Sequence, residues 1–315
     1  MNERATYVLP IKSSSLQGLA ELTAYLRSLR DVVDIIIVDG SAAAFFDEHR
    51  RLWSGFALHI PPNPQVRGAN GKARGVVTAL AHAGEKIVIA DDDVRYDPQG
   101  LYQVIDALDR ADVVRPQNYF SPYTWHTVVD TSRTLINRVV DGDWPGTLGV
   151  RRSALPRGYD RDVLFENLEL VRTVRANGGR ERCAYGIYVA RRPPEASRFW
   201  EQRIRQAYDE FARPARLLAA LAVLPLTVLG RKRPGALAAA AGALIFAAEI
   251  GRRRNGGAHY FPLIASFTAP LWVLERGVCA WLAVGSRLRY GGIRYAGTIV
   301  RRAATPLSEL RGRAA

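Results

Sequence analysis

The chain has 315 residues, 48% of them hydrophobic, and a formal net charge of +14. That length exceeds one typical domain and that apolar content suffices for a sizeable core, which sets aside a disordered chain. Cys183 and Cys279 are the only cysteines and stand far apart, so neither a disulfide framework nor a cysteine metal site is expected.

The first predicted strand is Thr6–Ile11, followed by the polar turn at Lys12–Ser15 and by Leu16, Leu19, Ala20, Leu22 and Leu26 at helical spacing. Asp34–Asp39 is a second buried strand ending at Gly40 and Ser41. A helix is expected over Phe45–Trp53, then a short strand over Ala57–Ile60 and a loop rich in Pro, Asn and Gly. Val76–Ala83 is helical and Lys86–Ala90 is another buried strand. Strands alternating with helices imply βαβ units and a parallel sheet covered on both faces.

The Lys86–Ala90 strand stops at three consecutive carboxylates, Asp91, Asp92 and Asp93. Like charges this close repel, and burying them is costly unless a counter-charge arrives. Ligands sit at strand ends in open α/β sheets. Carboxylate oxygens are the hard ligands that Mg²⁺ or Mn²⁺ takes, often together with substrate phosphates. A solvated acidic turn ahead of Pro98 is the alternative for the triplet taken alone.

Beyond Pro98, a helix over Leu101–Leu108 leads to Asp112–Arg115, and residues 118–150 are richer in aromatic and turn residues. Asp160–Asn177 is a further predicted helix, ending at Gly178 and Gly179, and Tyr185–Ala190 a last strand. Ser197–Phe211 is amphipathic, with Trp200, Ile204, Tyr208 and Phe211 on one side. That pattern suits a helix in a membrane interface, or one docked on the soluble part.

Three apolar blocks follow, Leu217–Gly230, Ala236–Ile250 and Tyr260–Gly285. The first two, at about 15 residues each, reach roughly 22 Å, less than a hydrocarbon core of about 30 Å. The third is long enough but carries Glu275 and Arg276 near its middle. Clusters at Arg231–Arg233 and Arg252–Arg254 and an Arg-rich tail all favour the cytoplasmic side. Membrane association is therefore expected, with the number of crossings open.

Charge follows the same division. Residues 1–212 hold 28 Lys or Arg against 27 Asp or Glu, whereas residues 213–315 hold 16 against Glu249, Glu275 and Glu309. The cations flank Ala/Leu/Val-rich runs rather than interleaving with aromatics, so a membrane partner is favoured and nucleic acid is not. The strand-like start offers no secretory signal, which places the first part in the cytoplasm. The resulting organisation is an α/β catalytic domain over 1–196, an amphipathic interface helix over 197–213 and a basic membrane-associated helical region over 214–315. The preference for Arg over Lys suggests a GC-rich bacterial source, hence the inner membrane.

In order, Tyr7-Val8-Leu9-Pro10-Ile11, Ile35-Ile36-Ile37-Val38-Asp39-Gly40-Ser41, Asn70-Gly71-Lys72-Ala73-Arg74-Gly75 and Asp91-Asp92-Asp93 resemble glycosyltransferase family 2. The resemblance covers roughly residues 5–210. It implies the GT-A fold, a Rossmann-like sheet that binds a nucleotide-diphospho-sugar, followed here by C-terminal membrane-associated helices. It also implies a UDP- or GDP-linked donor, Mn²⁺ or Mg²⁺, and transfer with inversion to a membrane lipid.

Residue roles carry over as follows. Pro10 and Lys12 offer backbone and a cation to the nucleotide. Asp39 accepts from base or ribose, unless it is a turn residue before Gly40. Lys72 and Arg74, in a Gly-rich loop, meet the diphosphate, unless they are solvated surface charges. Asp93 contacts the metal, and Asp91 or Asp92 faces the ribose or the metal. Asp143, Trp144 and Gly146 fall in the segment that lines the sugar and acceptor, although Trp144 equally suits a core turn.

Glu166 and Asn167 stand where the family has Glu-Asp, whose Asp is the catalytic base. Asn cannot take up a proton. Glu166 or a neighbouring carboxylate such as Asp143 therefore becomes the candidate base, or the acceptor is a lipid phosphate that needs none. Gln202 and Arg205 match the family's Gln-x-x-Arg-Trp motif at the acceptor mouth, with Gln206 in place of Trp. A catalytically inactive scaffold of the same fold is the reading from another functional class.

Overall fold

The computed structural model describes residues 4–295 and 297–314. The chain divides into two compact units. The first runs to Pro116, resumes over Pro145–Val189 and includes the chain from Thr305; the second holds Gln117–Trp144 and Ala190–Ala304. The chain leaves the first unit within one strand and returns to it twice.

The first unit is built on β1 (Thr6–Ile11), α1 (Leu19–Leu29), β2 (Asp34–Asp39), α2 (Ala43–Trp53), β3 (Leu58–Ile60), α3 (Gly71–Ala79), β4 (Lys86–Ala90), β5 (Val94–Arg95) and α4 (Pro98–Ala107). There follow β6 (Val113–Phe120), the helix α5 (Trp125–Val140) of the second unit, β7 (Thr147–Arg151), α6 (Glu166–Ala176) and β8 (Glu181–Arg191). Strand order in the sheet is β3-β2-β1-β4-β7-β6-β8-β5.

Neighbours β3, β2, β1 and β4 are parallel, with Thr6 opposite Asp34 and Ile11 opposite Asp39. Their continuous apolar runs reflect burial on both faces: Tyr7, Val8, Leu9, Ile36, Ile37, Val88 and Ile89 are all buried. At about 1.5–3 kcal/mol for each large buried side chain, these strands supply much of the unit's hydrophobic stabilisation.

The expected all-parallel sheet is in fact mixed. β7 runs antiparallel to both β4 and β6. Its register sets Thr147 against Ala90, so the residue before β7 meets the residue after β4. The parallel strands bring the segments after β1, β2 and β4 to one edge, and β7 adds its own start beside β4.

Residues 118–150 also hold α5, which no apolar pattern announces. Its buried positions include His126, Asp130, Ser132, Thr134, Asn137 and Arg138, so the buried face is polar and leaves no hydrophobic period to detect.

In the second unit α5 is joined by α7 (Ala196–Tyr208), α8 (Pro214–Gly230), α9 (Pro234–Arg253), α10 (Ile264–Phe267) and α11 (Ala269–Tyr290). A two-stranded ribbon pairs β9 (Ile293–Tyr295) with β10 (Thr298–Val300). Of the stretch Tyr290–Gly297, Ala296 lies outside the described residues. The helix α12 (Leu307–Ala314) belongs to the first unit and packs on α6.

The Pro234–His259 stretch is long and apolar enough to cross a membrane, whereas apolar α8 is shorter. Leu218, Leu226 and Leu229 on α8, Phe246 on α9 and Leu288 on α11 are exposed. Gly251 of α9 has a structural reason: a Cβ there would sit 1.9 Å from the Leu135 carbonyl oxygen of α5.

Candidate active site

Lys72 is the centre of the edge described above. The Asn70 side chain caps α3 by accepting from the Ala73 N–H at 3.1 Å, and its amide donates to the carbonyls of Val163 (3.0 Å) and Leu164 (3.3 Å). One buried side chain thus starts α3 and ties that start to the segment leading into α6. Lys72 and Arg74 accordingly lie in the first turns of a helix, and the expected Gly-rich loop is helical from Gly71. The signal that could have revealed this start is the capping residue itself, Asn70 before Gly71.

From that turn Lys72 Nζ reaches Asp91 Oδ1 at 2.6 Å and Glu166 Oε1 at 2.8 Å. Burial alone would push the Lys72 ammonium down, but Asp91 and Glu166 outweigh it and hold the pKa above its ordinary value. Lys72 therefore stays charged through the physiological range and joins a carboxylate after β4 to one at the start of α6.

Gly146 completes this corner. Its carbonyl accepts the Asp91 N–H at 2.9 Å, and a Cβ on it would lie 2.7 Å from Asp91 Oδ2. Only a residue without a side chain leaves that oxygen open. Asn167 secures the same segment, donating from Nδ2 to the Pro145 carbonyl at 2.9 Å. A carboxylate at this position would face that carbonyl as a second acceptor, so here the amide is a positioning group.

Asp92 is exposed, and Asp91 and Asp93 are half-buried. Asp97 in the same acidic stretch does something different. It caps α4, accepting from the Gly100 N–H at 2.6 Å with Pro98 in the first turn. Hard oxygen donors at Asp91 and Asp93, beside a glycine that leaves Asp91 Oδ2 uncovered, fit a divalent cation shared with a diphosphate.

Asp39, the last residue of β2, is fully enclosed. Its Oδ2 meets His49 Nδ1 at 2.6 Å and His59 Nε2 at 3.0 Å, while Oδ1 accepts the Ser41 N–H at 2.8 Å. His49 stacks on Trp53 and His59 on Phe46. One ligand atom from each of Asp39, His49 and His59 lies within 4.8 Å of the others, a grouping that could also hold a metal ion. Burial would raise the Asp39 carboxyl, but the His59, Ser41 and His49 hydrogen bonds prevail and hold it well below its ordinary value.

A carboxylate with a lowered folded pKa stabilises above its unfolded pKa, and that contribution fades as pH falls below about 4. Asp39→Asn is expected to cost about 2–4 kcal/mol at neutral pH, read as a melting point lower by about 5–10 °C. The gap to wild type should narrow in acid, and an unchanged gap at pH 3 would remove the carboxylate's role.

The remaining expected residues are dispersed. Pro10 is half-buried and packs under α3, since a Cβ on Gly75 would lie 2.8 Å from Pro10 Cβ. Lys12 is exposed just beyond β1. Arg74 donates from Nε to the Val66 carbonyl at 2.9 Å and so holds the preceding loop.

Asp143 and Trp144 belong to the second unit. The buried Asp143 carboxylate accepts from Arg133 Nη1 (2.5 Å), Thr134 Oγ1 (2.7 Å) and Asn137 Nδ2 (2.9 Å). Those bonds fasten it to α5. Gln202 and Arg205 lie on α7, where Arg205 stacks over Tyr295 at 5.1 Å. The buried cation of α7 is Arg203, which lies outside the matched motif positions: it pairs with Asp130 at 2.6 Å and with Glu275.

No family profile matches the chain, and no curated protein sequence does. Among solved structures, the mannosyltransferase PcManGT from Pyrobaculum calidifontis, in complex with GDP-Man and Mn²⁺, is similar at 20% identity, with 86% of this chain and 88% of that one covered and a TM-score of 0.55. Glucosyl-3-phosphoglycerate synthase from Mycobacterium tuberculosis, with Mn²⁺, UDP and phosphoglyceric acid, is similar at 17% identity, 65% and 77% coverage and a TM-score of 0.43. At such identities the first likeness assigns the fold: this chain has the fold of a GT-A-type glycosyltransferase.

Proposed function

We propose that the protein is a membrane-associated glycosyltransferase of the family 2 type. It would move a sugar, with inversion, from a UDP- or GDP-linked donor to a lipid at the cytoplasmic face of a bacterial inner membrane. The observation that carries the reading is the convergence of Asp91, Lys72, Glu166 and Gly146 at one sheet edge. Exposed leucines on α8 and α11 and exposed Phe246 on α9 support the membrane.

Asp91 and Asp93 would hold Mn²⁺ or Mg²⁺, which would supply Lewis-acid stabilisation to a nucleoside diphosphate leaving group. Lys72, charged and facing the same carboxylate, adds a fixed cation where that negative charge develops. Lys12, just after β1, and Arg74, in the first turns of α3, serve the nucleotide side, with Asp39 shaping the base end from beneath. The acceptor oxygen attacks the anomeric carbon as the bond to the diphosphate oxygen breaks. Glu166 takes the acceptor hydroxyl proton through an oxygen other than the one paired with Lys72.

A second reading has a specific observation behind it. Asn167 stands at the family's base position and is engaged with Pro145, which suits a lipid phosphate acceptor, already an anion. Glu166→Gln separates the two. A hydroxyl acceptor predicts a fall in turnover of about 10²–10⁴-fold, whereas a phosphate acceptor predicts near-normal turnover. Donor hydrolysis and lipid glycosylation by detergent-solubilised protein with Mn²⁺ measure both. No donor turnover with any UDP- or GDP-sugar would leave the scaffold reading in place.

A further inference from the structure

Arg276 is on α11, in the second unit, and only 5% exposed. Its Nε and Nη1 are buried and meet no acceptor among the described residues. One turn earlier on the same face, Trp272 is 6% exposed, and its indole Nε1 is likewise buried without an acceptor. The two side chains touch, with the guanidinium 5.6 Å from the Trp272 ring centroid.

Arginine and tryptophan carry donors only. A buried N–H left unmade costs about 1–3 kcal/mol, and more when it is charged. Two adjacent donor-only groups without an acceptor therefore describe a site that is completed by an acceptor from outside the chain.

The surrounding charges agree. The charged groups acting on Arg276 include Arg203, Arg133, Glu275 and Glu210, and both arginines are already paired, Arg203 with Asp130 and Glu275 and Arg133 with Asp130 and Asp143. Neither carboxylate is left over: Glu275 is gripped by Arg203 Nε (3.0 Å) and Nη2 and by Cys279, and Glu210 pairs with Arg213 (3.1 Å) and Arg216 (3.4 Å).

We infer that Arg276 and Trp272 form a binding site for a phosphate-type anion. Guanidinium forks match phosphate oxygens, and an indole N–H adds a third direction. A sugar hydroxyl or a carbonyl would leave the Arg276 charge without a counter-ion. Further along α11, Trp281 lines an open apolar groove of about 460 Å³ with Leu224, Pro225, Val228 and Leu229 of α8. Because α11 carries this apolar groove as well as the donor pair, a lipid phosphate is the expected source. The site is independent of the donor site in the first unit, and its test does not require turnover.

Thermal unfolding of the full-length protein in detergent is followed with phosphatidic acid in mixed micelles, with phosphatidylcholine in the same micelles, and with inorganic phosphate at matched ionic strength. Wild type is expected to gain several degrees with phosphatidic acid and little with phosphatidylcholine, since a ligand of the native state raises the melting point by mass action. Arg276→Met should raise the apparent dissociation constant at least tenfold, and Trp272→Phe, which removes the indole N–H donor while keeping a buried aromatic ring, should weaken binding severalfold. Equal stabilisation by inorganic phosphate would support the site and name free phosphate as its source. Should Arg276→Met fail to fold, Trp272→Phe decides. No anion-specific shift in wild type, or the same shift in both variants, overturns the proposal.

Discussion

Asp93→Ala is expected to abolish metal-dependent sugar transfer, lowering turnover by at least about 10³-fold while the fold survives. The size follows from what is removed. A divalent ion on a leaving diphosphate supplies several kcal/mol of charge stabilisation, and each 1.36 kcal/mol is tenfold in rate. Asp93 is half-buried in the turn between β4 and β5, and truncation there leaves the sheet intact. Isothermal titration of Mn²⁺ with a nucleoside diphosphate, beside a turnover assay, checks it. Retained metal and nucleotide binding in Asp93→Ala would remove Asp93 from the metal site.

The parallel half of the sheet was readable because its signals are local. The runs at Thr6–Ile11, Asp34–Asp39 and Lys86–Ala90 coincide with β1, β2 and β4, since strands buried on both faces show unbroken apolar stretches. β7 was not readable as antiparallel. Its direction is decided by pairing with β4 and β6 across long sequence separations, and nothing in Thr147–Arg151 itself encodes it. The helix α5 is not readable for another reason: its buried face bears Thr, Ser, Asp and Arg, several of which find partners in distant segments, Ser132 at Ala265 and Arg138 at Gly251.

The candidate site divides in the same way. The triplet at Asp91–Asp93, Lys72 and Glu166 could be picked out by residue type and order. What could not be picked out was how they are held. Asn70 bridges α3 to Val163 and Leu164 over more than 90 residues of sequence. Asn167, which as an amide cannot serve as a base, is the donor that fixes Pro145. Asp39 looked like a nucleotide ligand, yet its oxygens are committed to His49, His59 and Ser41, so any influence on the nucleotide passes through the position of β2's end. Asp143 looked available for catalysis and is bonded along α5.

Lys72→Met should be nearly as damaging as loss of the metal site, by a different route. In wild type one ammonium serves two carboxylates, at 2.6 Å and 2.8 Å. Methionine keeps the stem and removes the charge, so Asp91 and Glu166 face one another across an apolar side chain. Side-chain exposures of 25% for Asp91 and 15% for Glu166 allow water to relieve part of the repulsion, and the stability loss is expected at about 1–3 kcal/mol. The catalytic loss is larger, about 10²–10³-fold in kcat/KM, because a fixed cation is withdrawn from the diphosphate as its charge grows. Lys72→Arg should recover part of the activity, since the charge returns in a bulkier fork. The wild-type pH profile adds an independent check. The folded pKa of Lys72 is raised, so its ion pairs are fully present below the ordinary lysine value and lost only in stronger alkali; no loss of activity between pH 6 and 9 should trace to this residue. Steady-state kinetics and thermal melts of the two variants decide the matter, and turnover within threefold of wild type in Lys72→Met would show that the cation holds the carboxylates apart without acting on the donor.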